Sequence, residues 1–269
     1  RYAAYYEAIS DFTNSVAASQ QAVQWAERAA DVRQTTEALI LWGIARWRQG
    51  QFAEAREHLG AALELARQHG DRPNEAASLH SLGTVSYFQG DYQAARESLE
   101  SALQIRQGLA DLRSESASLN NLVGVYHGLG DLARAKAACQ QALDIQRTIG
   151  NRVDEAKALS NLGQIHHALG DLDAARECYE RSLVLRQAIG DRGGEALTLK
   201  NMGVALTDMG DPLAARTYCE QALLIDRETG NRRGTGYSLT YLAMALEALG
   251  ETAGAAAAYQ EALEVRREI

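Results

Sequence analysis

One spacing dominates this sequence: glycine recurs every 40 residues along almost the whole chain. The first set of these glycines comprises Gly50, Gly90, Gly130, Gly170, Gly210 and Gly250. A second set lies midway between them and comprises Gly70, Gly150, Gly190 and Gly230, with Ala110 in place of a fifth member. Glycine is the residue that most often closes a helix, because it adopts the left-handed conformation without strain. The spacing therefore predicts two helices in each period, which form a repeated helical hairpin.

Apolar and small residues keep the same period inside the two predicted helices. Each first helix carries an apolar pair three residues apart, which places both side chains on one face. These pairs are Leu39 and Trp42, Leu79 and Leu82, Leu119 and Leu122, Leu159 and Leu162, Leu199 and Met202, and Leu239 and Leu242. Each second helix carries alanine in one column, formed by Ala55, Ala95, Ala135, Ala175, Ala215 and Ala255. Small side chains in a fixed column predict close approach of neighbouring helices.

Four glycines interrupt the predicted first helices, where glycine destabilises a helix by roughly 1 kcal/mol relative to alanine. They are Gly43, Gly83, Gly163 and Gly203. Close packing against the second helix of the same hairpin would compensate for this loss, so we expect these glycines to lie at helix contacts.

Asp or Asn follows the midway glycine that separates consecutive hairpins. The residues concerned are Asp71, Asn151, Asp191 and Asn231. Their side chains accept hydrogen bonds from the free backbone N–H groups of a helix start, so the sequence predicts N-caps for the helices that follow.

The composition limits what the chain can bind. Only three Phe and three Trp occur in 269 residues, so Leu and Ala must supply most of the buried surface. The formal net charge of −8 lacks the basic excess that phosphate binding needs, which argues against nucleic acid and anionic membranes as partners. The three cysteines, Cys139, Cys178 and Cys219, contain no CxxC pair and suggest no disulfide framework. We therefore expect a soluble chain in a reducing compartment, the cytoplasm.

The repeat phase also predicts the organisation of the chain. We expect one domain, 1–269, with a partial repeat followed by six full repeats. The boundaries are 1–30, 31–70, 71–110, 111–150, 151–190, 191–230 and 231–269. The chain begins with Arg1 rather than Met, and Ile269 falls inside a helical pattern, so we interpret it as a piece of a longer protein. Leu263 and Val265 occupy core columns of the last helix, and we expect them to form an exposed apolar end.

These columns resemble the signature of the tetratricopeptide repeat (TPR) family over nearly the whole chain. One hairpin carries the pattern as Leu159, Leu162, Gly163, Ala175, Tyr179 and Ser182, and another carries it as Leu79, Leu82, Gly83, Ala95, Leu99 and Ala102. The 40-residue period exceeds the usual 34 residues and is similar to that of kinesin light chain, G-protein-signalling modulators and the sensor arms of STAND-type ATPases. The resemblance implies an all-α, right-handed superhelical solenoid of antiparallel helix pairs, whose concave wall consists of the first helices.

The central column of that inner wall contains asparagine in three consecutive repeats. The column comprises Leu41, Ser81, Asn121, Asn161, Asn201 and Tyr241. Asparagine is a middling helix former, and its carboxamide both donates and accepts hydrogen bonds, which suits the peptide groups of an extended ligand. The TPR resemblance implies that Asn121, Asn161 and Asn201 clamp a ligand backbone. Hydrogen bonds between neighbouring repeats are the alternative for the same side chains.

Neighbouring columns complete a polar groove with an aromatic end. The further candidate groove residues are Asn120, Gln164, His127, His167, Lys200, Tyr87, Trp47 and Tyr241. Trp47, Tyr87 and the adjacent Phe88 lie in the early repeats, while Lys200 is expected to bring charge into a later one. Such a surface fits a peptide with a hydrophobic anchor at one end.

The sequence contains no pattern that indicates catalysis. His166 and His167 are adjacent on a predicted helix, so their side chains point in different directions, and no third ligand lies at metal spacing. Phosphate-binding glycine loops, GxSxG elbows and HExxH pairs are missing from the sequence. We therefore predict no enzyme, no metal and no cofactor.

Three functions remain open at this point. The first is a scaffold that binds a protein or peptide segment in its groove. The second is a ligand-sensing regulatory arm of a larger signalling ATPase or transcription regulator. The third is an engineered or truncated array that assembles through its uncapped ends, by end-to-end contact or contact with other domains.

Overall fold

The computed structural model describes residues 12–268, with side chains from residue 14 onward. This part of the chain consists of thirteen α-helices without a strand, which confirms the all-α prediction. The helices are α1 (Phe12–Arg28), α2 (Val32–Arg48), α3 (Phe52–Gln68), α4 (Arg72–Phe88), α5 (Tyr92–Gly108), α6 (Leu112–Gly128), α7 (Leu132–Thr148), α8 (Arg152–Ala168), α9 (Leu172–Ile189), α10 (Arg192–Asp208), α11 (Pro212–Glu228), α12 (Arg232–Ala248) and α13 (Thr252–Arg267). The helix tail expected at 1–9 and the terminal Ile269 lie outside the described residues.

The helices form two compact units, Arg1–Ala138 and Cys139–Ile269, whose boundary falls inside α7. In the first unit, α2 pairs with α3 and α4 pairs with α5, and the first helices α2, α4 and α6 also pack side by side. In the second unit, the pairs are α8 with α9, α10 with α11, and α12 with α13, and α8, α10 and α12 pack side by side. Helices that pack mainly on their chain neighbours are the architecture of a repeat solenoid. The grouping into one domain of six and a half repeats stays a prediction.

The glycines of the 40-residue pattern end the helices as predicted. All ten have φ between +67° and +80°. At the end of α2, for example, Gly50 N–H donates to the carbonyl of Trp47 and Gln51 N–H donates to the carbonyl of Arg46, both at 2.9 Å. Ala110 adopts the same left-handed conformation with φ of +54°, and so does Ala30 with φ of +52°. The fold therefore imposes this conformation even where alanine replaces glycine.

The predicted N-caps are also confirmed. The backbone N–H three residues later donates to the side chain of the capping residue at each of the four positions. The distances are 3.2 Å at Asp71, 3.3 Å at Asn151, 2.9 Å at Asp191 and 3.0 Å at Asn231. Each cap satisfies a donor that the first turn of a helix leaves free.

The glycines inside the first helices lie at helix contacts, as the sequence predicts. A Cβ atom on Gly83 would lie 2.7 Å from Leu99 Cγ, and one on Gly163 would lie 2.6 Å from Tyr179 Cε1. The corresponding distances are 2.5 Å from Gly43 to Leu59 Cγ and 2.5 Å from Gly203 to Cys219 Sγ. Real side chains do not approach this closely, so any larger residue would push the paired helices apart.

The expected apolar end is confirmed at one residue and wrong at the other. Leu263 is 49% exposed, as expected. Val265 is buried in a cluster with Leu223, Leu239 and Ala262. Two residues apart on a helix point to nearly opposite sides, so only one of them faces away from the preceding repeat. Between residues 12 and 268, we find no helix whose length and apolar character would allow it to cross a membrane.

Two glycine-to-alanine substitutions in the first unit test the close contact. Gly83→Ala is expected to lower the free energy of unfolding by about 1 to 3 kcal/mol, because the new methyl group overlaps Leu99. Gly60→Ala, on α3, is the matched control: no atom lies within 4 Å of its Cβ position, and alanine is expected to stabilise the helix by up to about 1 kcal/mol. Urea denaturation followed by circular dichroism measures both values. Equal changes in the two variants would contradict the packing role of Gly83.

Candidate functional site

Two adjoining cavities open along the first helices α2, α4 and α6 of the first unit. The first has a volume of about 170 Å³, and its wall includes Ile44, Trp47, Arg48, His80, Thr84 and Asn121. The second has a volume of about 160 Å³ and is lined by Thr84, Tyr87, Phe88, Asn120, Asn121 and Gly124. Thr84 and Asn121 line both, so we refer to the two together as the paired cavities. They collect four of the predicted groove residues: Trp47, Tyr87, Asn120 and Asn121.

Aromatic rings form one side of the paired cavities. The Phe88 ring packs edge to face against Trp47, with centroids 5.1 Å apart, and against Tyr87, with centroids 5.4 Å apart. Such contacts hold rings in fixed orientations. Phe88 nevertheless stays 59% exposed, so most of its surface is open to a ligand. A Cβ on Gly124 would lie 3.2 Å from the Tyr87 hydroxyl, so this glycine lets the Tyr87 ring lie against α6.

Asn121 links two neighbouring repeats. Its Nδ2 donates to Thr84 Oγ1 at 2.9 Å, and the same nitrogen lies 3.3 Å from His80 Nε2. The inter-repeat hydrogen bond that the sequence left as an alternative is therefore present at this position.

A buried polar network lies behind His80. Arg106 Nη1, from α5, lies 3.0 Å from His80 Nδ1, 2.6 Å from Ser118 Oγ and 2.8 Å from the Ser114 carbonyl, so its two hydrogens are shared among these three acceptors. Arginine only donates, so His80 Nδ1 accepts and the hydrogen of the neutral ring lies on Nε2. Because Asn121 Nδ2 also donates, Nε2 and Nδ2 are in contact without a hydrogen bond. Burial, together with the charge of Arg106, lowers the pKa of His80 to about 4. The imidazole is therefore neutral at neutral pH and connects the paired cavities to α5.

Arg106 was not among the residues predicted from the sequence, although the repeat contains a signal for it. The same position of each second helix is polar in four successive repeats. Its members are Arg106, Gln146, Arg186 and Asp226. All four are buried. A polar residue in a buried column needs hydrogen-bond partners, and the position 12 residues later supplies a hydroxyl group at Ser118 and Ser238.

Lys200, in the second unit, corrects one expectation. Its side chain is only 7% exposed, and its ammonium group donates to Asp226 Oδ2 at 2.8 Å. Ser238 Oγ donates to the same oxygen at 2.7 Å, and Asn231 Nδ2 donates to Asp226 Oδ1 at 2.8 Å. Lys200 therefore does not present a charge to the groove, because a buried ammonium group keeps its carboxylate partner.

The other groove candidates of the second unit differ in their contacts. Asn161 is half-buried and makes no side-chain hydrogen bond to any residue that the structure describes. Asn201 is half-buried, and its Nδ2 atom is buried without a partner among residues 14–268. Gln164 is exposed and Tyr241 is half-buried. His127, in the first unit, is exposed and lines neither of the paired cavities.

The histidines and cysteines show no arrangement for metal binding within the described residues. His166 Nδ1 lies 3.0 Å from Asp171 Oδ2, and His167 Nε2 lies 2.7 Å from Asp208 Oδ2, so each contacts a different carboxylate. All three cysteines are buried as free thiols. Burial raises the pKa of Cys139 to about 12, and it raises the pKa of the Cys219 thiol to the same value. Neutral buried thiols behave as small hydrophobic side chains.

His80 links the stability of the fold to pH. Its pKa is about 4 in the folded chain and 6.5 without burial, so only the unfolded state gains a proton between these values. The free energy of unfolding is expected to fall by about 3 kcal/mol as the pH decreases from 6.5 to 4. Urea denaturation at a series of pH values measures this change. His80→Gln does not titrate and should lose this part of the pH dependence; an unchanged slope would contradict the assignment.

Known proteins share this fold. The tetratricopeptide repeat profile matches residues 34–108, 114–188 and 194–268, while no curated protein matches the sequence. A STAND protein with a tetratricopeptide repeat sensor, from Pyrococcus horikoshii, superposes with a TM-score of 0.85 at 15% identity and covers 97% of this chain and 41% of its own. TPR-like repeats assigned to a kinesin light chain of Podosopora anserina superpose with a TM-score of 0.62 at 20% identity. This match covers 71% of this chain and 94% of the kinesin light chain structure.

A third similar structure is a Rap protein complexed with competence and sporulation factor. It gives a TM-score of 0.70 at 16% identity and covers 99% of this chain and 73% of its own. At these identities the three structures show a common fold alone. The three profile matches span more than half of the sequence, and they confirm that the chain belongs to the tetratricopeptide repeat family.

Proposed function

We propose that the chain is a non-enzymatic interaction scaffold that binds an extended protein segment at the paired cavities. Tetratricopeptide repeats are typical of protein-interaction scaffolds, and this chain belongs to that family. The observation that carries the proposal is the gathering of three aromatic rings and two asparagines on adjacent first helices. Aromatic anchors beside hydrogen-bonding groups are the usual core of a protein interface.

The shape of the paired cavities favours two side chains of one extended segment. Each cavity is small, and Thr84 and Asn121 separate one from the other. Alternate side chains of an extended strand lie on the same side, roughly 7 Å apart, and so can enter neighbouring cavities. The lining residues include no carboxylate, which favours apolar side chains over lysine or arginine.

Asn120 is the amide best placed to hold the backbone of such a segment. It is half-buried, lines the second cavity and makes no side-chain hydrogen bond within residues 14–268. Both its donor and its acceptor are therefore available to peptide groups. Asn121 differs, because its Nδ2 already donates to Thr84. Asn161 and Asn201 of the second unit stay proposed ligand contacts.

A peptide-binding experiment tests this site. Random 12-residue peptides displayed on phage are selected on the full chain, and the affinities of synthetic versions are measured by fluorescence polarisation. Phe88→Ala is expected to weaken binding at least tenfold, because truncating an exposed interface anchor removes most of its contact area. Leu224→Ala is the control, since Leu224 is also exposed, at 58%, but lies on α11 of the second unit. Equal affinities of the two variants, or no selected peptide, would contradict the proposal.

Two asparagine variants separate ligand binding from structural support. Asn120→Ala is expected to weaken peptide binding while the thermal midpoint stays within about 1 °C, because no protein hydrogen bond is lost. Asn121→Ala is expected to lower the midpoint by roughly 2 to 4 °C, because it removes the bond to Thr84. Differential scanning calorimetry supplies the midpoints. A parallel loss of stability in Asn120→Ala would indicate a structural amide instead.

A regulatory arm of a larger signalling ATPase or transcription regulator is the second proposal. The superposition on the STAND sensor protein supports this proposal, because it covers 97% of this chain. The superposed part is 41% of that longer protein. A nucleotide-binding or DNA-binding segment in the full-length gene product would support this role, and its lack would count against it.

Exposed Leu263 supports a third proposal, contact with another domain or with a second copy of the chain. Light scattering tests self-association through the concentration dependence of the measured mass.

The cellular setting is part of the same proposal. Three buried free thiols and an acidic composition are consistent with a cytoplasmic protein that binds neither nucleic acid nor membranes.

A further inference from the structure

On the first helices α8, α10 and α12 of the second unit, two buried polar atoms have no hydrogen-bond partner among the described residues. They are Ser160 Oγ on α8 and Asn201 Nδ2 on α10. The Ser160 side chain is almost fully enclosed, since the residue is only 2% exposed. Buried polar groups without a partner are rare in folded proteins, so each requires an explanation.

The local helix does not satisfy the Ser160 hydroxyl. A helical serine often donates to the carbonyl four residues earlier, which here is that of Ala156. That carbonyl already accepts a hydrogen bond from Ser182 Oγ at 2.8 Å, in addition to the backbone bond within α8. A carbonyl oxygen has two lone pairs, so both are in use.

The repeat relates the two unpartnered atoms to a pair of side chains that are in contact in the first unit. Ser160 and Asn201 lie two periods after His80 and Asn121, whose Nε2 and Nδ2 atoms are 3.3 Å apart in the first unit. The helices that carry each pair, α4 with α6 and α8 with α10, pack side by side in the same way. Serine is shorter than histidine, so its hydroxyl does not reach the amide, and Ser160 Oγ and Asn201 Nδ2 share no hydrogen bond. One water molecule with two hydrogen bonds spans such a gap.

We propose that one buried water molecule binds between Ser160 and Asn201 and takes the structural place that the His80 imidazole has in the first unit. The water accepts from Asn201 Nδ2 and exchanges a second hydrogen bond with Ser160 Oγ. Two polar partners are sufficient for an internal water molecule.

The water also fixes the orientation of the Asn201 carboxamide. With Nδ2 directed inward, Oδ1 is the atom that remains accessible, since it is not enclosed and has no hydrogen-bond partner within residues 14–268. If Asn201 contacts a ligand, as proposed above, it acts as an acceptor for a peptide N–H. Ser160 is thus a positioning residue that acts through the water.

A matched pair of serine variants tests the water site without any ligand. Ser160→Ala is expected to lower the thermal midpoint of the full chain by roughly 2 to 4 °C, because the water and Asn201 lose a partner. Ser78→Ala is the control: Ser78 Oγ is also buried and unpartnered, but the residue 12 positions earlier is Ala66, which offers no polar group. Removing that isolated hydroxyl is expected to raise the midpoint. A rise in both variants would overturn the proposal.

A crystal structure provides the direct observation. Electron density for a water molecule is expected within about 3.2 Å of both Ser160 Oγ and Asn201 Nδ2 in the unmodified chain, and not in Ser160→Ala. A direct hydrogen bond between the two side chains, or a site without density, would also overturn the proposal. Neither measurement depends on peptide binding, so a failed peptide selection would contradict the proposed function and leave this result unaffected.

Discussion

The close approach of the two helices in each pair is the contact on which the rest of the fold depends. A glycine on the first helix leaves space that a large side chain of the second helix fills: Leu99 packs against Gly83, and Tyr179 packs against Gly163. The alanine column adds to this, because Ala95 and Ala175 are fully buried at the same contact. With the helices of each pair packed this closely, the first helices of consecutive repeats within each unit are also in direct contact. The paired cavities lie along that contact between first helices.

Polar residues at the junctions between repeats form a second, less regular layer of contacts. The junctions use different chemistry: Arg106 donates to Ser118 of the following repeat, while Asp226 accepts from Ser238 of the following repeat. These large side chains also require space. A Cβ on Gly194 would overlap the guanidinium of Arg186, which explains a glycine in the first turn of α10. Junctions that differ in this way favour one order of repeats, because an exchanged neighbour would leave a buried polar group without its partner.

The asparagine column illustrates how one repeated residue acquires different roles. Asn121 donates to Thr84, Asn161 has no side-chain hydrogen bond to any described residue, and Asn201 has a buried Nδ2 atom without a partner among the described residues. The difference comes from the preceding repeat, which supplies a histidine and a threonine in one case and a serine in another. Identical residues on identical scaffolds therefore differ in their availability to a ligand, and the neighbours decide it.

The sequence alone determined the helices, their ends, the N-caps and the close contacts at glycine, because each follows from a local preference repeated every 40 residues. It also predicted Trp47, Tyr87, Asn120 and Asn121 as groove residues, and these four line the paired cavities. It placed Lys200 incorrectly and missed Arg106, because the periodic pattern states which face a residue occupies but not which distant residue it meets. Burial of a charge depends on a partner 26 positions away, as Lys200 and Asp226 show. Only the tertiary structure brings such partners together, and it therefore decides which polar residues support the fold and which remain free to bind.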